Sequence, residues 1–361
     1  MEKNVNLSRL ADIFIPMFKK TSAKVIAAIA LIITLLVIFG PKPSTPVYSM
    51  EFPSVPAEAK PLESFIKTNE AKHKLKPNNE ARIVWYDDSL KQKTKYAIVY
   101  LHGFSASQEE GRPIHTNIAR EFGCNLYLAR LAEHGIDTSA PLANLTPSEY
   151  WESAKDALAI GRQIGENVIL MGTSTGGTNA LQLAANYPDK VSSLILLSPN
   201  VALFHSQSWL LNDAWGLQIA KMINGSDNIV STDERPLYKQ YWYSSYPLKA
   251  ATELEEYLET TMTKETFSKV NQPVLMLYYY KDDVHQDSTV SIPAMLTMFN
   301  ELGTPRNDKI KQAIPNAGSH VLGSYIRSKD LLGVQRAIED FMEKKLNIPK
   351  VNKGTFTTIN Y

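Results

Sequence analysis

The fold is decided by residues 168–177, which read VILMGTSTGG. The apolar run Val168–Met171 predicts a buried strand, and Gly177–Asn186 predicts a helix. Between them stands Gly172-Thr173-Ser174-Thr175-Gly176, which is Gly-x-Ser-x-Gly in a strand–turn–helix context. Side chains at the two glycine positions would clash with neighbouring elements in so tight a turn. The pattern therefore predicts that Ser174 stands above the sheet edge, at a helix N-terminus that favours developing negative charge.

Strands and helices alternate on both sides of this turn. The other predicted strands are Arg82–Tyr86, Tyr96–Leu101, Asn125–Leu128, Leu194–Leu197, Val274–Tyr280 and Ile310–Ile314. The other predicted helices are Ile114–Phe122, Pro147–Ile164, Pro293–Leu302 and Leu331–Leu346. This alternation predicts an α/β fold with a mostly parallel sheet and helices on both faces. Catalytic groups in such sheets lie in loops at the carboxyl ends of the strands.

One long insertion interrupts the alternation at residues 201–272. It is aromatic-rich and separates two adjacent strands, and so long a connection usually has its own structure. Because it leaves the sheet where a substrate pocket would lie, we interpret it as a helical cap. Core helices packed onto the body remain the alternative. The predicted domain covers residues 61–346 and is followed by a tail, residues 347–361.

The N-terminal part of the chain predicts attachment to a membrane. Val25–Phe39 is an uncharged apolar run of 15 residues, and Lys19, Lys20 and Lys24 precede it. This charge asymmetry predicts a single-pass transmembrane signal anchor at residues 25–40, with residues 1–24 in the cytoplasm and the domain on the extracytoplasmic side. A cleaved signal peptide stays open, although no small-x-small site follows the run.

A proline-rich segment connects the apolar run to the domain. Residues 41–60 contain five prolines, at positions 41, 43, 46, 53 and 56. Proline spacing of this kind favours an extended, semi-rigid conformation. We therefore expect a stalk that holds the domain away from the membrane surface.

The composition excludes several classes of function. The chain has 38 basic and 37 acidic residues and a net charge of +1, which gives no electrostatic reason to bind nucleic acid. Its single cysteine, Cys124, excludes an internal disulfide and a multi-cysteine metal site. No metal or organic cofactor is implied, and the sequence leaves the oligomeric state open.

Taken with two further motifs, the serine turn resembles the α/β-hydrolase superfamily, in particular its carboxylesterase and monoacylglycerol-lipase-like members, over about Arg82 to Leu346. His102-Gly103-Phe104 matches the His-Gly after the third strand of that fold, and Arg130–Gly135 resembles its Gly-His-Gly turn. The resemblance implies an oxyanion hole made by the backbone N–H groups of Phe104 and Thr175. It also implies that His102 and His134 are structural.

The resemblance implies a triad in the order serine, acid, histidine. Ser174 is the expected nucleophile and His320, after the last strand and before the last helix, the expected base. Asp282, Asp283 and Asp287 compete for the acid. The spacing downstream to Val290 and Gly303 favours Asp287, whereas the distance from the strand end favours Asp282 or Asp283.

These residues predict a serine hydrolase that cleaves small-molecule carboxylic esters through an acyl-enzyme. Thioester or amide hydrolysis on the same fold remains an alternative. A non-catalytic binding protein with this fold is the alternative from another class. Halide- or epoxide-type hydrolysis needs a carboxylate at the elbow, where this chain has Ser174.

Overall fold

The structure is a computed structural model that describes residues 22–36 and 39–351. Most of the predicted cytoplasmic segment, residues 1–24, lies outside the described residues. The same holds for most of the predicted C-terminal tail, residues 347–361.

A seven-stranded sheet forms the centre of the domain. Its strands are β1 Arg82–Val84, β2 Thr94–Leu101, β3 Asn125–Leu128, β4 Gly165–Thr173, β5 Ser193–Leu197, β8 Val274–Tyr278 and β9 Lys309–Ala313. They lie in the order β1-β3-β2-β4-β5-β8-β9, and every neighbouring pair is parallel except β1 with β3. Two further strands, β6 Asn228–Val230 and β7 Ser245–Pro247, form a separate antiparallel ribbon. The prediction of a mostly parallel sheet is confirmed.

Helices cover both faces of this sheet, and further helices lie within the insertion at residues 201–272. They are α1 Ala59–Glu70, α2 Ile114–Glu121, α3 Pro147–Ile164, α4 Thr175–Asn186, α5 Gly216–Asn224, α6 Pro236–Tyr241, α7 Leu248–Thr261, α8 Lys264–Lys269, α9 Ile292–Glu301 and α10 Leu331–Asp340. The predicted last helix, Leu331–Leu346, is α-helical only as far as Asp340 and continues as a π-helical turn, Phe341–Lys345.

Alternate side chains of the central strands fill two separate cores. Val99 of β2 and Leu170 of β4 pack in one core with residues of α3, α4 and α9. Their neighbours Ile98 and Ile169 pack in the other core with residues of α2 and α10. Both faces of the sheet are therefore buried, which is why these strands appear in the sequence as continuous apolar runs.

The predicted cap, residues 201–272, divides into two parts. Residues 201–247 hold α5, α6 and the β6–β7 ribbon, and several of their side chains face the cavity described below. By contrast, α7 and α8 belong to the body of the domain. Tyr257 of α7 is fully buried, and its hydroxyl donates to Asn179 Oδ1 of α4 at 2.5 Å. The cap therefore ends near residue 247, because the remaining helices bury their apolar faces on α4.

The predicted stalk packs against the body instead of projecting from it. We call residues 41–58 the strap, because they run in an extended conformation along the domain. The carbonyl of Ser49 accepts hydrogen bonds from Trp151 Nε1 and Lys155 Nζ, both at 2.9 Å. Glu51 O accepts a further bond from Lys155 Nζ at 2.9 Å. The extended conformation agrees with the prediction, but these backbone contacts correct the expectation of a free-standing stalk.

Residues 22–36, within the predicted anchor region, are helical, and their large apolar side chains are exposed. Residues 37 and 38 of the anchor lie outside the described residues. Within the part of the chain that the structure describes, no helix has both the length and the apolar character needed to cross a membrane.

Candidate active site

Ser174 occupies a strained turn between β4 and α4. Its backbone has φ +53° and ψ −122°, a region that L-residues rarely adopt. A Cβ atom on Gly176 would lie 1.9 Å from the carbonyl oxygen of Leu101, and one on Gly172 would lie 2.4 Å from that of Gly176. Both glycines are therefore required by close backbone approach. The turn places Ser174 at the carboxyl edge of the sheet and at the N-terminus of α4.

His320 and Asp287 meet at the same edge of the sheet. His320 lies between β9 and α10, and Asp287 lies in the loop after β8. His320 Nδ1 and Asp287 Oδ2 are 2.6 Å apart. Asp287 Oδ1 also accepts hydrogen bonds from the backbone N–H groups of Thr289, at 2.8 Å, and Val290, at 3.1 Å. These bonds fix the carboxylate in a buried position against the imidazole.

The pKa values of this pair move in the directions expected for an ion pair. Burial opposes a charged imidazole, but the carboxylates of Asp287 and Glu110 outweigh it, so the pKa of His320 lies above its ordinary value. Burial likewise opposes ionisation of Asp287, but His320 and the two backbone amides outweigh it and lower the pKa of that carboxyl. The arrangement stabilises a protonated His320.

The other two candidate aspartates lie apart from His320. Asp282 is exposed and contacts His285 Nδ1 at 2.8 Å. Asp283 is exposed too, and its carboxylate accepts a hydrogen bond from Tyr280 at 2.8 Å. Of the three, Asp287 is the one that the structure brings to His320. Its role as the triad acid stays a prediction.

The residues of the predicted oxyanion hole belong to two different segments of the chain. Phe104 and Thr175 line the same cavity as Ser174. The amides on either side of Phe104 are engaged, since Gly103 N donates to Glu110 Oε2 at 2.6 Å and Ser105 N donates to His134 Nε2 at 2.9 Å. The loop geometry is thus set by its neighbours, and the Phe104 amide lies between two fixed points.

His102 and His134 hold this loop and the Arg130–Gly135 turn together. His102 Nε2 accepts from Leu131 N at 3.1 Å, and its Nδ1 lies 2.9 Å from Gly103 O. His134 Nδ1 lies 2.7 Å from Ala132 O. Both rings are fully buried. Their contacts are to backbone atoms, as expected of structural histidines.

A cavity of about 270 Å³ contains Ser174 and His320. His320 Nε2 is buried and has no hydrogen-bond partner among residues 22–36 and 39–351. Apolar side chains from the body, the cap and α7 form much of the remaining wall: Phe104, Leu203, Ile229, Tyr246, Leu254 and Val321. The site therefore offers an apolar space beside a hydroxyl and an unbonded imidazole nitrogen.

Two residues of the site were not predicted from the sequence. Glu110 is buried in the cavity wall, and Asn200 donates from Nδ2 to Thr175 Oγ1 at 3.3 Å. Asn200 follows the carboxyl end of β5 closely, a position that could have signalled it. Glu110 lies in a short 3-10 turn, where no periodic pattern singles it out.

Comparison with known proteins agrees with this architecture. The α/β-hydrolase fold family matches residues 96–301 of the chain. The chain belongs to the α/β-hydrolase family, and the resemblance noted in its sequence is confirmed. No curated protein matches the sequence.

Solved structures share the fold at low sequence identity. A structure from the metagenome-derived lipolytic enzymes LipS and LipT has a TM-score of 0.60 and 17% identity, covering 75% of this chain and 100% of its own. The monoacylglycerol lipase of Paleococcus ferrophilus has a TM-score of 0.54 and 14% identity, covering 74% and 99%. A soluble variant of monoglyceride lipase from Saccharomyces cerevisiae, in complex with a substrate analogue, has a TM-score of 0.53 and 12% identity, covering 76% and 92%. At these identities the neighbours show that the chain shares their fold.

Proposed function

We propose that the protein is a serine hydrolase that cleaves carboxylic esters through an acyl-enzyme. The observation that carries the proposal is the 2.6 Å contact between His320 Nδ1 and Asp287 Oδ2 in the wall of the cavity that holds Ser174. An imidazole held in this way presents Nε2 as the base. The strained backbone at Ser174 is typical of a nucleophile elbow.

The proposed reaction has two displacements. Ser174 Oγ attacks the acyl carbonyl while His320 Nε2 accepts its proton, and Asp287 stabilises the resulting imidazolium. The amides of Phe104 and Thr175 bind the oxyanion of the tetrahedral intermediate. His320 then protonates the leaving alkoxide. Water, activated by the same nitrogen, hydrolyses the acyl-enzyme and restores Ser174.

The cavity favours short acyl groups on a small-molecule ester. Its volume of about 270 Å³ is below the range of roughly 300–1,000 Å³ usual for ligand pockets. We therefore expect kcat/KM to be higher for p-nitrophenyl butyrate than for p-nitrophenyl laurate.

Kinetics on this ester pair test the proposal, and Ser174→Ala is the control. A butyryl thioester and a butyryl anilide extend the comparison to the thioesterase and amidase alternatives. Faster turnover of the thioester or anilide would contradict the ester assignment. If Ser174-dependent hydrolysis is found for none of these substrates, the non-catalytic binding protein is favoured.

We further propose that the N-terminal apolar run anchors the chain in a membrane, with the hydrolase domain on the extracytoplasmic side. The support is the sequence of Val25–Phe39 and the lysines before it. The test is extraction of membranes with alkaline carbonate. The full chain should stay in the pellet and a chain beginning at residue 41 should stay in the supernatant. A mature N-terminus found after residue 40 would show cleavage and contradict the anchor.

A further inference from the structure

Glu110 is a buried carboxylate in the wall of the active-site cavity. It lies in the 3-10 turn Gln108–Gly111, is 3% exposed, and lines the cavity together with Ser174 and His320. No lysine or arginine of the described chain forms an ion pair with it. Burial of a carboxylate without such a partner is costly. A functional role for Glu110 beside Ser174 would account for this unfavourable burial.

Its strongest contact is to the loop that carries the oxyanion amide. Glu110 Oε2 accepts the N–H of Gly103 at 2.6 Å. A Cβ atom on Gly103 would lie 3.0 Å from this oxygen and 3.0 Å from Ser174 Cβ, so Gly103 fits between the carboxylate and the nucleophile. On the other side of Phe104, the N–H of Ser105 is held by His134. Glu110 and His134 thus fix the residues on either side of Phe104, and these two contacts define where the Phe104 amide lies.

Residues of the cap contact both this loop and the Glu110 carboxylate. Tyr243 N donates to Ser105 O at 2.8 Å, and the side chain of Trp242 interacts with the Glu110 carboxylate. Both residues immediately follow α6. Glu110 therefore connects the oxyanion loop of the body to the cap that closes the cavity.

We propose that Glu110 is a positioning residue, which holds the Gly103 amide so that the neighbouring amide of Phe104 points at the oxyanion. This role rests on the proposed serine-hydrolase function. Glu110 takes no part in bond making, and its effect is exerted through the backbone of residues 103–105. A displaced donor costs transition-state stabilisation but not ground-state binding.

The charge of Glu110 also acts on His320. Burial raises the pKa of Glu110 to about 7, although the Gly103 amide, His320, Trp242 and Arg327 oppose that rise. Asp287, Glu110 and Arg327 are the charged groups that face His320, and the first two raise its pKa. Tyr100 and Tyr150 also face Glu110. With a pKa of about 7, the Glu110 carboxyl is already partly protonated at the pH of the acid limb. Removal of its remaining charge should therefore move the acid limb of kcat/KM only slightly, to lower pH.

Two substitutions separate the hydrogen bond from the charge. Glu110→Gln keeps an acceptor of the right length for the Gly103 amide but removes the charge. Glu110→Asp keeps the charge but is one methylene too short to reach that amide. Glu109→Gln is the matched control, since Glu109 is buried in the same turn but pairs with Arg112 at 3.3 Å.

The experiment measures kcat and KM for p-nitrophenyl butyrate across pH, with circular dichroism to check folding. Glu110→Asp should lose about 10²-fold in kcat with KM within about threefold of the parent and its acid limb near the parent's. Glu110→Gln should keep kcat within about tenfold, with the acid limb at slightly lower pH. Glu109→Gln should keep kcat within about threefold and leave the limb unmoved, because Glu109 is not among the residues that line the cavity.

The inference is overturned if Glu110→Asp folds and keeps the parent's kcat, or if Glu110→Gln is impaired as much as Glu110→Asp. If Glu110→Gln is unfolded, Glu110→Asp decides, because a full kcat contradicts the inference. If Glu110→Asp is unfolded, Glu110→Gln decides, because a loss of about 10²-fold in kcat despite the retained acceptor contradicts it. An inactive parent would overturn the proposed function together with this inference. An active parent with unaffected variants would overturn this inference alone.

Discussion

The carboxyl edge of the sheet and the strap both bury polar groups, but they use them differently. At the edge, His320 is bonded to Asp287 through Nδ1, while its buried Nε2 has no partner in the described chain. Beside the strap, the buried Lys155 ammonium uses all three donors, on the carbonyls of Ser49 and Glu51 and the carboxylate of Glu152 at 2.9 Å.

This difference distinguishes a group that is available for catalysis from one that only stabilises the fold. A fully satisfied buried group such as Lys155 stabilises the fold and has no capacity left for a substrate. A buried group with an unbonded nitrogen, such as His320, can still form a hydrogen bond to a substrate or accept a proton in the cavity. Substitutions at the sheet edge should therefore change rates and leave stability nearly unchanged, whereas changes in the strap should do the reverse.

The largest effect is expected at Ser174. Ser174→Ala removes the hydroxyl of the proposed nucleophile and should lower kcat by about 10⁶-fold, as loss of a triad serine does in subtilisin. The urea midpoint should remain close to the parent's, because little packing is lost. Kinetics with p-nitrophenyl butyrate and urea unfolding check the two halves of this prediction. A folded Ser174→Ala variant that keeps a kcat near the parent's would remove Ser174 from the mechanism.

The next effect is expected in the loop that carries the three aspartates. Asp287→Asn keeps the size of the side chain but permits the wrong tautomer of His320, which should cost about 10⁴-fold in kcat. Asp282→Asn and Asp283→Asn are exposed controls and should stay within about tenfold of the parent. Kinetics on folded variants decide the assignment. Severe loss in either control, with Asp287→Asn active, would show that distance from the strand end was the better guide.

The strap provides the opposite test. A chain beginning at residue 59 lacks the strap and uncovers the rings of Tyr187 and Tyr257, which Phe52 and Tyr48 contact. Loss of two such aromatic contacts should lower the free energy of unfolding by about 3–5 kcal/mol. A chain beginning at residue 41 is the matched control.

Urea unfolding measures this difference in stability. The kcat of the folded shorter chain should stay within about threefold of the control's, because the strap contacts and the active site are independent of each other. If the chain that begins at residue 59 is as stable as the control, the packed strap is contradicted.

The smallest effect is expected in the pH profile. His320 must be neutral to accept the proton of Ser174, and its pKa is raised by Asp287 and Glu110. Activity should therefore begin to fall at a higher pH than for an ordinary histidine, with the acid limb of kcat/KM centred above about 6.5. Stopped assays in overlapping buffers measure the limb. A midpoint at or below that value would show that the two carboxylates do not act on His320.

Much of the fold is predictable because the central strands are buried on both faces. Continuous apolar runs such as Tyr96–Leu101 predict strands that the structure contains, with ends shifted by a residue or two. The elbow at Ser174 is predictable for a related reason. Gly172 is required by the close approach of the Gly176 backbone four residues later, whereas Gly176 is required by the backbone of Leu101 on the neighbouring strand β2. The turn is predictable because the whole Gly-x-Ser-x-Gly pattern lies within five consecutive residues.

The strap and Glu110 were not predictable, because their partners are distant or lie on the backbone. Ser49 and Glu51 bind Lys155 through carbonyl groups, which every residue possesses. Glu110 binds the amide of Gly103 from within an irregular turn. The extent of the cap was overestimated for a similar reason, since only tertiary packing assigns α7 to the body.

Covalent labelling tests most directly whether Ser174 is the activated serine that we propose. The parent protein is incubated with a fluorophosphonate probe at neutral pH, digested, and the modified residue is identified by mass spectrometry. The account predicts one adduct, on Ser174, which denaturation beforehand abolishes and Asp287→Asn slows strongly. An adduct on a different serine of the folded protein, or no adduct at all, would contradict it.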